Sequence, residues 1–214
     1  MITGAAVLGV SAVALGMVLT PGPNMMYLVS RSVTQGRRAG LISLGGVAVG
    51  FGCYLAAATA GISAVFVAVP QLYLAVKLAG AGYLGWLAWQ ALRPGGASVF
   101  SPRRLPADSA TRLFTMGLVT NLLNPKIAIM YLALIPQFID PAAGRVWAQS
   151  LGLGGVQIAV ALTVNAAIVV VAGTISTVLD ARPGWLRVQR YVMGSVLGGL
   201  AVTLALDRSR PAVA

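Results

Sequence analysis

Residues 4–30 read GAAVLGVSAVALGMVLTPGPNMMYLVS, an apolar stretch that is interrupted about two thirds of the way along. A bilayer core of about 30 Å is crossed by roughly 20 helical residues, so the stretch is long enough to span a membrane. Pro21, Gly22 and Pro23 interrupt the helix, because proline lacks a backbone N–H and glycine weakens a helix. The stretch therefore predicts a transmembrane helix that is broken inside the membrane.

A second apolar segment, residues 113–137, carries a similar interruption at Asn124 and Pro125. Pro125 follows Pro23 by 102 positions. A break frees polar backbone groups, which are tolerated at membrane depth only beside protein or a water-filled cavity. Two interrupted segments at matching positions of two halves therefore indicate the binding site of a transporter.

The composition of the whole chain is that of an integral membrane protein. Of 214 residues, 58% are hydrophobic and 9% are charged, whereas soluble proteins average about 25% charged residues. The apolar segments predict six transmembrane helices, at 4–30, 40–66, 70–92, 113–137, 147–178 and 188–206. The predicted fold class is all-α, a single membrane domain over 1–214 built as a 3+3 inverted repeat with broken helices 1 and 4. The halves cover about 1–92 and 113–206, with a cytoplasmic linker at about 93–112.

The arginines predict the orientation of the chain. The formal net charge is +11, but most of it lies between the apolar segments instead of forming a nucleic-acid-binding face. Ten arginines fall between predicted spans one and two, three and four, and five and six. By the positive-inside rule these regions are cytoplasmic and both termini lie outside, although Arg208 and Arg210 in the tail oppose this orientation.

Polar residues beside the two breaks are candidates for substrate binding. A half-helix N-terminus offers free N–H groups and partial positive charge to a carboxylate. Asn24 and Asn124 add amide donors and acceptors, and Lys126 adds a positive charge near the midplane, where ionisable residues are costly and usually functional. Snorkelling is the alternative for Lys126, and Asn165 could equally line a cavity or tie two helices together.

The residues that are missing exclude several classes of chemistry. The chain has no His and no Glu, and its single cysteine is Cys53. A zinc or soft-metal site within one subunit is therefore not expected, and neither is a cofactor. An enzyme acting on lipids is disfavoured because no paired carboxylates lie in the spans. A scaffold or sensor would have no reason to carry two breaks.

Several motifs resemble those of the LysE/RhtB family of amino-acid exporters, in particular its RhtB-like branch for neutral amino acids and homoserine lactone. They are Thr20-Pro21-Gly22-Pro23-Asn24, Lys77-Leu78-Ala79-Gly80-Ala81-Gly82-Tyr83-Leu84, Asn121-Leu122-Leu123-Asn124-Pro125-Lys126 and Pro136-Gln137-Phe138-Ile139-Asp140-Pro141. The resemblance implies a secondary transporter of the bacterial inner membrane, driven by the proton motive force, and not an enzyme. It implies a binding role for Pro21, Gly22, Pro23, Asn24, Asn124, Pro125 and Lys126.

The acids bear on the substrate and on the coupling. The four acids are Asp108, Asp140, Asp180 and Asp207, and none lies at mid-membrane. A cationic substrate would lack a counter-charge, which favours small neutral amino acids of the threonine, homoserine and leucine class over basic amino acids. Asp140 and Lys126 are the candidates for proton coupling, and facilitated diffusion stays open. Six spans are compatible with a homodimer, and no nucleic-acid partner is expected.

Overall fold

The computed structural model describes residues 2–20, 22–62, 70–93 and 107–180, and 191, 194–195, 198–199, 201–202 and 204–206 near the C-terminus. Over these residues the chain is helical and contains no strand. The prediction of an all-α protein is therefore confirmed for the described part of the chain.

The described residues form a succession of helices. The α-helices are α1 (Gly4–Leu19), α2 (Pro23–Gln35), α3 (Arg37–Ala57), α4 (Pro70–Leu92), α5 (Ala110–Leu122), α6 (Pro125–Ile129) and α7 (Val146–Asp180). A π-helical turn, Ala58–Ile62, extends α3, and a π-helical turn and a 3₁₀ turn, Met130–Leu134 and Ile135–Phe138, extend α6. A further 3₁₀ turn covers Pro141–Ala143. The described residues between 191 and 206, where the sixth span is predicted, are also helical.

Several of these helices have the length and apolarity of membrane spans. Arg37–Ala60 and Val146–Ala172 meet both requirements as unbroken helices. The pair α1 and α2 meets them together with a bend of 55°, and α5 meets them with Pro125–Phe138 and a bend of 50°. Both bends lie where the proline motifs predict them. By length and composition, the described residues therefore provide up to four spans.

Large apolar side chains cover the outside of this helix assembly. Leu8 is 72% exposed and Leu123 is 77% exposed, and Trp89 and Trp147 also point outward. A soluble protein rarely exposes so many large apolar side chains together, whereas lipid is a good solvent for them. The chain is a multi-pass membrane protein.

Glycines bring α3 and α5 into direct backbone contact. A Cβ on Gly46 would overlap the carbonyl oxygen of Phe114, and a Cβ on Gly117 would overlap that of Ser43. Small residues allow close approach of helices in membranes, where packing replaces the hydrophobic effect. This contact joins the first half of the second broken helix firmly to α3.

The turn between the first two predicted spans is shorter than the sequence suggests. Gly36 has φ +88°, which glycine adopts without strain, and it alone separates α2 from α3. Arg31 therefore lies within α2 and Arg37 begins α3, so the helices extend through the segment between the first two predicted spans. A single glycine can make this turn, and periodicity does not reveal it.

Candidate functional site

The first helix break separates α1 from α2. Thr20 has an extended backbone after Leu19, and its hydroxyl donates to the carbonyl oxygen of Gly16 at 2.7 Å. Gly22 is also extended, and no side chain caps the start of α2 at Pro23. The last carbonyls of a helix lack partners within it, so those at the end of α1 need donors from elsewhere.

The second break has its own capping residues. Asn124 has an extended backbone, and its Oδ1 accepts a hydrogen bond from the backbone N–H of Lys126 at 3.1 Å. Pro125 suits the first helical position, where no N–H partner is needed. On the other side of the break, the Tyr54 hydroxyl donates to the carbonyl oxygen of Leu122 at 2.7 Å. The side chain of Asn124 thus fixes the direction in which α6 leaves the break.

Lys126 joins the two breaks. Its Nζ donates to the carbonyl oxygens of Met17 at 2.7 Å and Thr20 at 2.8 Å, at the end of α1. The residue is 4% exposed, so its side chain points into the protein and does not snorkel. A positive charge is favourable at a helix C-terminus. Gly22 leaves room for this arrangement, because a Cβ there would lie 3.0 Å from Nζ.

A small cavity lies where the breaks meet. Its volume is about 30 Å³, which is room for about two water molecules. Its lining residues are Ala14, Met17, Val18, Asn24, Met25, Phe51, Asn124, Lys126, Ile127, Met130, Gln157, Ala161 and Asn165. The structure therefore brings together four of the residues expected to bind substrate, namely Asn24, Asn124, Lys126 and Asn165.

Several polar atoms of this cavity are buried without a partner in the described protein. Neither amide atom of Asn24 makes a hydrogen bond, and neither does the Nδ2 of Asn124. Asn24 is 7% exposed. An unsatisfied buried polar group costs about 1–3 kcal/mol. These amides are therefore groups for which a polar ligand would supply the missing hydrogen bonds.

Asn165 and Gln157 contribute to the cavity from α7. The Nδ2 of Asn165 donates to the carbonyl oxygen of Ala161 at 2.9 Å, one turn earlier on the same helix, so this bond does not tie two helices together. Gln157, which the sequence analysis missed, accepts from the Tyr131 hydroxyl at 2.6 Å. Positions 157, 161 and 165 recur every four residues and share one helix face. The spacing of Gln157 and Asn165 on one face of an apolar span is the sequence signal that could have identified Gln157.

Other predicted site residues are not among those that line the cavity. Pro23 and Pro125 are exposed and shape the breaks, whereas Gly22 is buried beside Lys126. Pro21 lies outside the described residues. Asp140 is exposed, and its Oδ1 accepts from the backbone N–H of Ala142 at 3.0 Å as the cap of a 3₁₀ turn.

A charged cluster that the sequence analysis also missed surrounds Asp108. Its Oδ2 lies 2.5 Å from Arg31 Nη1 and accepts from Gln35 Nε2 at 2.8 Å, and its Oδ1 lies 3.1 Å from Arg112 Nε. The Asp108 side chain is 6% exposed. The hydrogen bond from Gln35, followed by the charges of Arg31 and Arg112, lowers the pKa of Asp108 below its ordinary value.

The described residues offer no basis for a metal site. They contain no group of three or more His, Cys, Asp or Glu side chains that could hold a metal ion. Cys53 is exposed on α3, away from the cavity lining. The polar groups of the site are amides and one amine, which suit an organic ligand better than a metal.

A family profile matches nearly the whole chain. The profile described as "LysE type translocator" matches residues 15–208. The chain belongs to the LysE family. As a LysE-family protein it is a transporter and not an enzyme, which confirms the resemblance seen in its motifs. No solved structure matches it significantly.

Several bacterial proteins are similar to this LysE-family chain. The uncharacterized membrane protein YahN of Escherichia coli K12 is 26% identical over 87% of the chain and 83% of its own length. A homoserine/homoserine lactone efflux protein of Salmonella typhimurium is 33% identical over 68% of the chain and 70% of its own length. A leucine efflux protein of an Enterobacter species is 31% identical over 59% of the chain and 60% of its own length.

Proposed function

We propose that this LysE-family protein exports small neutral amino acids, of the threonine, homoserine and leucine class, across the bacterial cytoplasmic membrane. The observation that carries the proposal is the cavity at the two helix breaks, where Asn24 and Asn124 present unpaired amide atoms. The names of the relatives that export homoserine and leucine support the same class of substrate.

The charges around the cavity favour a neutral substrate over a basic one. Lys126 is the charged side chain among the described lining residues, and none of those residues is an acid. A lysine or arginine substrate would bring a second cation without a counter-charge, at a cost of several kcal/mol if it is desolvated. Export of basic amino acids would need an acid that the described cavity does not hold.

The unpaired groups favour recognition of a carboxylate. An ammonium has three N–H donors, and Lys126 uses two of them on Met17 and Thr20. Its third donor and the amide N–H groups of Asn24 and Asn124 are available to an acceptor. A carboxylate accepts and does not donate, so it matches this set. The Oδ1 of Asn24 is then the acceptor for the substrate ammonium.

The cavity is too small for an amino acid, so we propose an alternating-access cycle in which it widens. About 30 Å³ suffices for about two waters, so an amino acid enters only if helices separate on one side. In the proposed cycle six spans form a single domain, whose halves, 1–92 and 113–206, are a 3+3 inverted repeat. The arginine-rich regions face the cytoplasm, both termini lie outside, and the homodimer stays a prediction.

The proton motive force is the proposed driving force. Of the two candidates for coupling, Lys126 lines the cavity, whereas Asp140 is exposed and caps a turn. A proton exchanged at the cavity can couple directly to a substrate bound there, so the proposal assigns this role to Lys126. Uptake in vesicles without a pH gradient, against uptake with one, separates proton coupling from facilitated diffusion.

The sharpest test of the function is Asn24→Leu. Replacing an unpaired buried amide by an apolar group of similar shape leaves stability unchanged or raises it by about 1 kcal/mol. We expect the variant to fold at least as well as the wild type and to lose at least about tenfold in transport of labelled leucine, threonine and homoserine into inside-out vesicles. If the role of Asn24 were purely structural, Asn24→Leu would instead be less stable than the wild type.

Asn121→Leu is the matched control. Asn121 is fully buried and both of its amide atoms are also unpaired, but it does not line the cavity. We expect it to transport within about threefold of the wild type. Normal transport by Asn24→Leu, or no transport of any of the three amino acids by the wild-type protein, would overturn the proposal.

A further inference from the structure

Helix α2 is a short arm between two glycine breaks. It covers Pro23–Gln35, with the extended Gly22 before it and Gly36 at φ +88° after it. Rotations at a few residues at the ends of a helix are enough to swing it as a rigid unit. The arm borders the cavity at its first turn, because Asn24 and Met25 are lining residues.

The arm packs on three neighbours, α3, α5 and α7. On α3 the packing is close, because a Cβ on Gly40 would overlap the Oγ of Ser32. Towards α7 its contact is apolar, with Met25 and Val29 packed in one cluster with Ile168 and Ala172. Towards α5 its contact is polar. The Tyr27 hydroxyl donates to the carbonyl oxygen of Leu113 at 2.9 Å, and Ser43 of α3 donates to the same hydroxyl at 3.2 Å.

Asp108 closes this polar contact at its far end. Its carboxylate binds Arg31 and Gln35 of α2, and its backbone N–H donates to Gln35 Oε1 at 2.8 Å. The guanidinium of Arg31 also lies over the ring of Tyr27, 5.3 Å from its centroid. Because Asp108 lies two positions before α5, next to its N-cap Ser109, these bonds hold the end of α2 against the start of α5.

A contact of this kind can open at lower cost than its neighbours. The α3–α5 contact interlocks backbone at Gly46 and Gly117, and the contact of α2 with α7 buries apolar surface. A buried ion pair contributes little net stability, because its gain is offset by desolvation. Water near the membrane surface can also replace hydrogen bonds to Arg31 and Asp108 once the helices separate.

We propose that Asp108 is a gating residue of transport: through Arg31 and Gln35 it holds α2 against α5 and closes the cavity on the side of the arginine-rich segments. Substrate enters from that side when these bonds break and α2 moves away from α5. The proposal rests on the protein being a transporter and not on the identity of its substrate, so its test uses no substrate.

The test measures access to the cavity from the arginine-rich side. Ala161, which lines the cavity, is replaced by cysteine in a Cys53→Ser background, and a membrane-impermeant maleimide is added to vesicles of each orientation. We expect Arg31→Gln and Asp108→Asn to speed labelling from the arginine-rich side by about tenfold, because the bonds of Asp108 to α2 then no longer favour the closed state. Arg31→Lys, which keeps the charge, restores slow labelling.

Arg112→Gln is the matched control, because it removes the same charge from the same carboxylate. Arg112 lies in α5, four positions after Asp108, and its side chain is 68% exposed. Exposed ion pairs contribute little, and this one does not link α2 to α5, so labelling should stay within about twofold of the wild type. Gln35→Leu, which keeps every charge, is the second gate variant and should also speed labelling.

The outcomes separate gating from a structural role. Each variant is checked for monodispersity and thermal midpoint in detergent. Unchanged labelling in folded Arg31→Gln and Gln35→Leu would overturn the proposal, and so would equal acceleration from both sides or in Arg112→Gln. If Arg31→Gln does not fold, Gln35→Leu and Asp108→Asn decide the matter by the same criteria.

Discussion

The ammonium of Lys126 lies 2.8 Å from the carbonyl oxygen of Thr20, a residue 106 positions earlier in the chain. This bond, with the one to Met17, links the second helix break to the first. It satisfies carbonyls at the end of α1 that have no partner in their own helix. Lys126 is therefore both a capping residue of α1 and a lining residue of the cavity.

Lys126→Met tests this double role. The substitution removes the donor that Lys126 supplies to the carbonyls of Met17 and Thr20, and a buried polar group that loses its partner costs about 1–3 kcal/mol. We expect about 2 kcal/mol or more of destabilisation, with loss of transport. Thermal unfolding in detergent and vesicle uptake check the two effects.

Lys126→Gln is the companion variant, because it keeps N–H donors while removing the charge. It should recover part of the lost stability without recovering transport. Unfolding of both variants at the wild-type midpoint would contradict the capping role.

Gly22→Ala should disturb the position of Lys126. A Cβ there would lie 3.0 Å from Nζ and 3.3 Å from Cε, so the end of the Lys126 side chain has to move by a few tenths of an ångström. The end of a flexible side chain can yield, and we expect less than about 1 kcal/mol of destabilisation but a several-fold loss of transport. Gly155→Ala is the control, since a Cβ at Gly155 meets nothing within 4 Å. Equal transport by the two variants would count against a role for this contact.

Substrate analogues test which group of the substrate the cavity recognises. The unpaired groups of Asn24, Asn124 and Lys126 are mostly donors. We expect leucine amide and leucine methyl ester to compete with labelled leucine at least about tenfold more weakly than leucine, because a site built to hydrogen-bond a group discriminates strongly against its loss. The α-hydroxy analogue, which keeps the carboxylate, should lose less. The reverse ranking would reject carboxylate recognition.

The ion pair of Asp108 should be insensitive to pH in the neutral range. Its pKa is lowered first by the bond from Gln35 and then by the charges of Arg31 and Arg112. A lowered folded-state pKa gives stability that is present above the unfolded value, about 3.9, and is lost as pH falls below it. The ratio of cavity labelling in Asp108→Asn to that in wild type should therefore be constant from about pH 6 to 8. A ratio that falls towards one on acidification within this range would show that Asp108 takes up a proton there.

Two adjacent glycines of α3 should respond differently to a methyl group. A Cβ on Gly46 would overlap the backbone of Phe114, whereas one on Gly45 would lie 3.7 Å from the Phe114 ring, at ordinary contact distance. Overpacking against backbone cannot be relieved by a rotamer change, so Gly46→Ala should cost about 3 kcal/mol and Gly45→Ala less than about 1 kcal/mol. The thermal midpoints of the purified variants measure the difference. Similar midpoints would show that α3 and α5 can separate without loss.

The residues that determine the breaks could be identified from the sequence because their effects are local. Pro23 and Pro125 end helices through a missing N–H and a steric clash, whatever surrounds them. Asn24, Asn124 and Lys126 lie beside these breaks in the chain, so their proximity to the site follows from their positions. The LysE-family membership follows from the same motifs.

The bonding partners could not be predicted in this way, because they depend on how distant helices pack. Nothing near Lys126 in the sequence indicates that its ammonium binds the carbonyls of Met17 and Thr20. The contact between Asp108 and Arg31 likewise joins residues 77 positions apart.

The sequence by itself determined a helical membrane protein with two breaks, because lipid leaves few structures for an apolar chain and proline interrupts a helix locally. Only the tertiary structure decided which groups at the breaks are already bonded and which are available. The buried Lys126 is largely engaged, whereas the amide of Asn24 is unpaired, since α1, α2, α6 and α7 meet around one cavity. The same packing places Asp108 against Arg31 and makes α2 a candidate gate.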